Sequence, residues 1–386
     1  MLRTQLNVNA TDADHIYVDM QAINDDRTGT DITPRLYINE ARSNPILMNA
    51  SEYYLSIIRF NLQTGSLPVM LPQVDLTQSD PTKLIYEVCL SFDGLDASQN
   101  LIWIAQDFNA SPPAVPLNYA DINTPFYNCY SYQHFIFACL DRAFQNAFTK
   151  LQTLATAAGK TLPSSYAPFM EWNPDAGKAI IDADVLGYDQ SLAKPIEIYF
   201  NTPLYSLFSS FDALYFGTNV SNGKNYKLTM YNMMGGNIYT LNGVNYLQAY
   251  QEWPTFQNAS NPISSIVFVS TQIPVLSTNT AKPVVYNELE NVFSSQQNAG
   301  FSNMITDFEI AVDPGSLYKN SIAYNPTAQY RYFDLISNNP IQNIDITVFW
   351  KDNYGKLNPF TLAAQNTFNM KLLFKRKNSL SSYDKF

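Results

Sequence analysis

The sequence has little of what enzyme active sites require. Only two of its 386 residues are histidines, His15 and His134, so a Ser-His-Asp or Cys-His arrangement would have to use one of them as its base. It contains no HExxH, no Walker A loop and no GxGxxG. His134 stands between Cys129 and Cys139 at a spacing that matches no common zinc motif, which favours a partly buried structural residue. We therefore expect a protein that is not an enzyme and that binds neither a metal nor a cofactor.

Cysteines and long apolar runs are also scarce. The three cysteines form an odd set and the start of the chain shows no secretory signal, which together favour a reduced, intracellular protein. Cys89 lies within an apolar segment, where a cysteine is more often a small buried side chain than a nucleophile. No apolar run reaches the length of a membrane span, so no membrane-spanning segment is expected.

Charge is low and mostly negative. Charged residues make up only 15% of the chain, and the formal net charge is -10. Binding to nucleic acid needs a basic surface that displaces counterions, so these values argue against a nucleic-acid partner. The basic residues near the C terminus, Lys371 and residues 375–377, are too few for a basic tract and indicate a solvated strand end.

Aromatic residues are abundant instead, with 26 tyrosines and 24 phenylalanines. Segments 344–350 and 368–374 alternate apolar and polar residues with period two, as half-buried strands do. Further strands are predicted at 52–62, 84–92, 264–271, 304–312 and 330–336. Strands at irregular spacing with long connections predict an all-β protein, a single jelly-roll β-sandwich with an inserted subdomain and one amphipathic helix. The C-terminal strands are expected to close an edge of the sandwich.

Residues 131–158 are predicted to form the amphipathic helix. Apolar residues recur there at spacings of three and four, which places them on one helix face. This stripe consists of Phe137, Leu140, Phe144, Phe148 and Leu151. Gly159 follows it as a C-terminal stop.

Composition divides the chain into five segments. Residues 1–48 are acidic and lack sustained periodicity, so we expect an arm that extends over a neighbour or is partly disordered. The jelly roll is assigned to residues 49–216, which include the helix, and to residues 263–377. Between them, residues 217–262 are rich in Asn, Gly and Tyr and form the candidate insertion, whereas residues 378–386 form a tail.

Three residues on the predicted strands are candidates for contacts between subunits: Arg59, Arg331 and Trp350. Each arginine stands alone within an apolar strand. Two interpretations of these arginines remain open. Each lies on a solvated sheet face, or it forms a bidentate pair with an acidic residue across a subunit interface.

Two carboxylate pairs, Asp182 with Asp184 and Glu288 with Glu290, share a face if the backbone is extended. A glycosidase would place one such carboxylate opposite a second across a cleft. Nothing in the pattern marks an acid and a base, so surface solvation is the favoured interpretation for both pairs.

Four segments, taken in order, resemble a known family. They are EYYLSIIRFNLQTGSLPVMLP (52–72), SSIVFVSTQIPV (264–275), MITDFEIAV (304–312) and YRYFDLISNNPIQNIDITVFWKDNYGKLNPFTL (330–362). Together they resemble the penton (minor capsid) proteins of virophages, especially those of the Sputnik type, and of Polinton-like viruses. The resemblance covers the first sandwich strand and the C-terminal third of the chain.

The resemblance implies a non-enzymatic capsid protein of the virion, assembled in the host cytoplasm. It would stand at the icosahedral vertex as a homopentamer, with its insertion facing outward and double jelly-roll major capsid proteins around it. The alternative is an attachment protein on the virion surface that binds a host or giant-virus glycan. In that case sugars would stack on tyrosines of residues 217–261.

Overall fold

In the computed structural model of the protein, the segments that alternate polar and apolar residues form strands, and these strands pair antiparallel. The structure describes residues 13–27, 35–106, 126–232, 236–276, 285–287, 292–294, 304–309, 321–325, 331–353 and 355–377. In chain order the strands are β1 (His15–Ile23), β2 (Tyr37–Ala41), β3 (Tyr53–Gln63), β4 (Lys83–Phe92), β5 (Leu95–Ile102), β6 (Phe169–Asn173), β7 (Lys178–Asp184), β8 (Glu197–Phe200), β9 (Ala213–Tyr215), β10 (Tyr226–Leu228), β11 (Ile238–Leu241), β12 (Val244–Tyr250), β13 (Ile263–Val269), β14 (Val285–Asn287), β15 (Val292–Ser294), β16 (Met304–Glu309), β17 (Ser321–Tyr324), β18 (Phe333–Asp334), β19 (Asn343–Asp352), β20 (Leu357–Pro359) and β21 (Thr367–Arg376). The prediction of a mainly β protein is confirmed.

The helices are few and mostly short. They are α1 (Tyr132–His134), a π-helical segment (Phe135–Asp141), α2 (Arg142–Ala157), α3 (Val185–Tyr188), α4 (Thr202–Leu207) and α5 (Thr255–Ser260), with 3-10 turns at Ala50–Glu52 and Ser221–Gly223. Within the described residues, no helix combines the length and the apolar character that a membrane crossing needs.

The chain divides into two units, each with its own core. Among the described residues, the first unit contains those up to Leu67 and those from Ile263 onward, and the second contains Pro68–Pro262. The second unit is therefore an insertion between two strands of the first, β3 and β13. This insertion is much longer than the predicted one at residues 217–262. The predicted boundary fails because residues 68–216 also form strands, so periodicity alone did not separate them from the jelly roll.

Two larger sheets make up the sandwich of the first unit, which also contains the two-stranded sheet β14-β15. One has the strand order β1-β21-β3-β17, with β18 also paired to β3, and the other has the order β16-β13-β19-β2, with β20 paired to β19. Their inward side chains share one core, in which the Phe60 ring of β3 lies 5.0 Å from the Phe268 ring of β13. The C-terminal strands β19 and β21 are central in their sheets, rather than the closing edge that was predicted.

The N-terminal segment is part of this sandwich. Strand β1 pairs antiparallel with β21 over its full length, and β2 pairs with β19. Val18 and Met20 of β1 are buried in the core, while Tyr17 and Asp19 face outward. The structure thus corrects the prediction of an arm over residues 1–48 for the part that it describes. The predicted tail, residues 378–386, lies outside the described residues.

The second unit also contains two antiparallel sheets. Their strand orders are β5-β4-β8-β10-β9 and β11-β12-β7-β6. Helix α2 packs on β4 and β5, while α1 and the π-helical segment pack on β6. Apolar residues of these elements form a single core, so the helix is part of the unit's interior packing.

The long helix agrees with its predicted bounds. Ser131 caps its start, because the Ser131 side chain accepts a hydrogen bond from the His134 N–H (3.4 Å), and Gly159 follows its end with a positive φ of 65°. One residue of the predicted apolar stripe departs from it. Phe137 is 74% exposed, whereas Phe144 is fully buried. The π-helical segment explains this, because Phe137 lies within it and i→i+5 hydrogen bonding changes the rotation per residue, so its side chain leaves the face that α2 buries.

Candidate functional site

Arg59 lies on the outer face of the first sheet, in a row of charges across three strands. Asp19 of β1 accepts contacts from Arg59 Nη2 (3.4 Å) and from Lys371 Nζ of β21 (3.2 Å). The side chains of Arg59 and Asp19 are 58% and 61% exposed, so this ion pair contributes little to stability. Arg59 therefore has an acidic partner within its own chain and remains accessible to a neighbouring subunit.

Arg331 lies just before β18 and not inside a strand. Its Nη1 donates to the Asp307 carbonyl oxygen (2.9 Å), and its guanidinium lies 5.6 Å from the centre of the Phe308 ring. These contacts hold an exposed arginine against β16. Whether Arg331 meets another subunit stays a prediction.

Trp350 is only 6% exposed and belongs to the core of the first unit. It stands on β19, opposite Ile266 of β13 and Asn358 of β20. The alternating pattern placed Trp350 on one face of its strand but could not say which face is inside. The structure removes Trp350 from the candidate interface residues, because the fold of its own chain already covers it.

Asp345 is a buried polar site that the sequence analysis missed. Its carboxylate accepts hydrogen bonds from Ser270 Oγ (2.5 Å), Thr271 Oγ1 (2.6 Å) and the Gln272 N–H (2.8 Å), and also from the Thr271 N–H (2.9 Å). Burial by itself would raise the pKa of Asp345, but these donors outweigh it and hold the pKa below its ordinary value. The carboxylate thus fixes the turn after β13. The Ser-Thr-Gln run after a strand is the only sequence signal for it.

The carboxylates of β7 are buried, which corrects the expectation of surface solvation. Asp182 is 0% exposed and Asp184 is 3% exposed. Asp184 accepts from Ser164 Oγ (2.6 Å) and from the Leu186 N–H (3.0 Å), so it caps α3. Glu288 and Glu290 lie outside the described residues.

Burial governs the ionisation of two aspartates in this region. It raises the pKa of Asp182 to about 7, although the hydrogen bond from Gln248 Nε2 (3.0 Å) opposes the rise. Burial likewise raises the pKa of Asp141 to about 7, against a hydrogen bond from the Met170 N–H (2.7 Å). Within the described residues, no cluster of His, Cys, Asp and Glu is arranged to hold a metal.

His134 and the cysteines have structural surroundings. His134 Nε2 lies 2.7 Å from the Ile104 carbonyl oxygen, and its ring meets Trp103 edge-on at 5.5 Å. Cys89, Cys129 and Cys139 are buried and not disulfide-bonded. Burial raises the pKa of Cys89 and Cys129 to about 12 and that of Cys139 to about 11, so all three stay protonated thiols.

The contacts described above mainly stabilise the fold, and the proteins that this chain resembles are described as structural or capsid proteins. Residues 16–376 match the model of a family described as Sputnik minor capsid protein V18/19. Structural protein V19 of Sputnik virophage is 27% identical over 218 residues, which cover 55% of this chain and 95% of that protein. The uncharacterized protein V18 of the same virophage is 30% identical over 115 residues, which cover 28% of this chain and 67% of that protein.

Two solved structures share the fold. A chain of the Sputnik virophage, determined at 3.5 Å resolution by cryo-EM, superimposes with a TM-score of 0.76 at 24% identity, over 95% of this chain and 99% of that one. The crystal structure of the mavirus penton protein superimposes with a TM-score of 0.59 at 17% identity, over 94% of this chain and 99% of that one. The predicted jelly-roll fold is confirmed.

Proposed function

Because the chain belongs to the Sputnik minor capsid protein V18/19 family, we propose that it forms homopentamers that plug the five-fold vertices of an icosahedral capsid. It is a structural protein of a viral capsid, and its role is non-enzymatic. The observation that carries the proposal is the family match, which runs through both units and includes β1 and β21. The virion is its location, and assembly in the host cytoplasm is part of the proposal.

A surface of the first unit suits contact between neighbouring copies. Strands β1 and β2 each stand at an edge of their sheet, and their outward residues Tyr17, Ile23 and Tyr37 are 54%, 60% and 53% exposed. Beside them is a groove of about 540 Å³, lined by Ile16, Tyr17, Val18, Ala41, Arg42, Ser43, Asn44, Pro45 and Ile46. Within the described residues these strands stand at sheet edges, and exposed tyrosines there favour a protein contact. A ring of five requires a heterologous contact, in which this surface would meet a different surface of the next copy.

Arg59 and Arg331 remain candidates for polar contacts in the same assembly. Both are accessible, and both side chains are already partly positioned by contacts within their own chain. We also propose contact between the pentamer and the surrounding double jelly-roll major capsid proteins.

A second candidate function is attachment of the virion to a host or giant-virus glycan. The observation that favours it is the number of exposed large apolar side chains in the second unit. These are more than one third exposed and include Phe137, Tyr166, Tyr215, Phe216, Tyr231, Tyr250 and Trp253. Exposed rings of this kind can stack on sugars, as well as on protein partners.

The proposed pentamer is tested by the solution mass of the purified protein, measured by light scattering behind a sizing column. A mass of five times the 43.6 kDa chain is expected for the wild type. Tyr17→Asp should shift the protein toward the monomer, because it places a charge in the proposed contact. Tyr250→Asp, which changes a similarly exposed tyrosine of the second unit, should leave the mass unchanged. A monomeric wild type that is also absent from the vertices of purified particles would contradict the proposal.

A further inference from the structure

The second unit has a groove between its long helix and the strand β6. Its volume is about 680 Å³. The residues that line it come from the π-helical segment and its flanks, and from β6: Gln133, Ile136, Phe137, Asp141, Arg142, Gln145, Phe169, Met170, Glu171 and Trp172. It lies outside residues 217–261, where the sequence analysis placed a glycan site.

Phe137 lines this groove and is exposed, although the spacing of apolar residues in the sequence predicts that it is buried. Its spacing from Leu140 and Phe144 predicts burial, yet it is 74% exposed, whereas both of those residues are fully buried. Leaving a phenylalanine in water forgoes the favourable free energy that its burial would give. The π-helical segment that turns it outward borders the groove, and such segments occur frequently at functional sites. We conclude that this ring is placed for contact rather than for packing.

Trp172 supplies a second, immobile ring. It is partly buried, and its own ring lies 5.0 Å from Tyr132 and 5.8 Å from Phe256. Because the core holds Trp172 in place, contact with its free side costs little side-chain entropy.

The polar side chains that line the groove end in planar groups, and they include hydrogen-bond donors, acceptors and charges of both signs. Gln133, Gln145, Arg142 and Glu171 are exposed, and together they offer amide, guanidinium and carboxylate groups. The charges of Arg142 and Glu171 are opposite in sign. The burial that raises the pKa of Asp141 to about 7 leaves its carboxyl partly neutral near pH 7. The groove therefore presents many hydrogen-bond donors and acceptors but little net charge.

We propose that this groove binds a neutral glycan, with a sugar ring packed against Phe137 and Trp172 and its hydroxyl groups bonded by Glu171, Arg142 and Gln145. A neutral, hydroxyl-rich ligand matches the combination of rings, mixed donors and acceptors, and low net charge. The size of the groove falls in the range of small-ligand sites, about 300–1,000 Å³. The inference concerns the second unit alone and does not depend on the proposed pentamer.

The test uses the full-length protein on an array of neutral oligosaccharides of glucose, galactose, mannose and N-acetylglucosamine, followed by titration calorimetry with a bound di- to tetrasaccharide. Phe137→Ala should weaken binding at least tenfold, and Glu171→Gln should weaken it severalfold. The matched control is Leu186→Ala, which removes a large apolar side chain of the same unit that is 71% exposed and does not line the groove. It should change the affinity less than twofold.

Three results would overturn the proposal. The first is a wild type that binds no neutral oligosaccharide. The second is a bound oligosaccharide whose affinity is the same for Phe137→Ala as for Leu186→Ala. The third is a change in solution mass for Phe137→Ala without a change in glycan affinity, which would identify the groove as a contact between copies. Since Phe137 is exposed, its replacement should not prevent folding, and a circular dichroism melt of each variant checks this.

Discussion

The two units each bury an aspartate completely, but in opposite electrostatic settings. In the first unit, Asp345 is 0% exposed and accepts hydrogen bonds from two hydroxyls and two backbone N–H groups. In the second, Asp182 is 0% exposed and accepts a hydrogen bond from Gln248 Nε2. Burial raises the pKa of Asp182 to about 7, whereas the donors around Asp345 hold its pKa low. Burial therefore sets the direction of a pKa only where the donors are too few to oppose it.

The units also differ in how they use aromatic residues. The first unit places Phe60, Phe268 and Phe308 in a core cluster with ring centres 5.0–5.7 Å apart. The second unit has a similar core cluster. Both units also expose aromatic side chains, but within the described residues those of the first unit are tyrosines, such as Tyr17 and Tyr37, whereas the second unit also exposes phenylalanine and tryptophan, Phe137 above all.

The largest expected effect tests whether the two cores are energetically separate. Trp350→Ala should destabilise the first unit by about 3–5 kcal/mol, because it leaves a cavity in that core. Hydrogen exchange read by mass spectrometry should show faster exchange in β13, β19 and β21 and little change in β4, β7 and α2. The control, Trp253→Ala, removes a tryptophan that is 54% exposed and should have a small effect. Equal loss of protection in both units would mean that they unfold together.

A smaller effect tests the electrostatic contrast. The raised pKa values of Asp141 and Asp182 mean that the folded second unit binds more protons than the unfolded chain between pH 4 and pH 7. Its stability should therefore fall as the pH rises through this range. Asp345 has a lowered pKa, so its contribution is present above about pH 4 and is lost only below it.

Asp182→Asn isolates this effect. The variant should stabilise the second unit at pH 8 by on the order of 1 kcal/mol and reduce its dependence on pH, because no charge remains to be buried. The measurement is hydrogen exchange of β7 and β12 from pH 5 to pH 8, with the exchange times adjusted for the pH dependence of the intrinsic exchange rate. Asp345→Asn serves as the counterpart and should destabilise the first unit at every pH in this range. A second unit whose stability rises with pH would show that Asp182 is ionised throughout.

The smallest effect concerns the row of surface charges in the first unit. Arg59→Ala should change its stability by less than about 1 kcal/mol, since Arg59 and Asp19 are exposed and screened by salt. Urea denaturation at low and high salt checks this. If the variant lowers the solution mass while stability is retained, Arg59 acts between subunits, as the sequence analysis proposed.

Pattern and chemistry predicted a good part of this molecule. The strands that became β3, β4, β13, β16, β19 and β21 were predicted from alternation, and the helix from its apolar stripe and its stop at Gly159. The absence of a catalytic arrangement predicted a non-enzymatic protein. These features depend on the sequence of polar and apolar residues within one segment, and periods of 2 and 3.6 residues indicate strands and helices directly.

Other features depended on partners far away in the sequence. Strand β1 looked like a polar arm because only alternate residues, such as Val18 and Met20, are buried, and its pairing partner lies more than 340 residues away in β21. Trp350 could have faced either side of its strand until the core of the first unit covered one of them. Asp182 looked like a surface carboxylate because nothing in its own segment shows that β12 and β6 lie on either side of it.

The sequence by itself determined the class of the fold, the position of the long helix and the expectation of a non-enzymatic protein, because each depends on local composition and spacing. The tertiary structure decided which strands are central, where the inserted unit begins, and which carboxylates are buried. It also decided that Phe137 faces water, through a π-helical segment that the spacing of apolar residues does not reveal. The physical reason is that burial and strand pairing are set by contacts between distant segments, which form only when the whole chain folds.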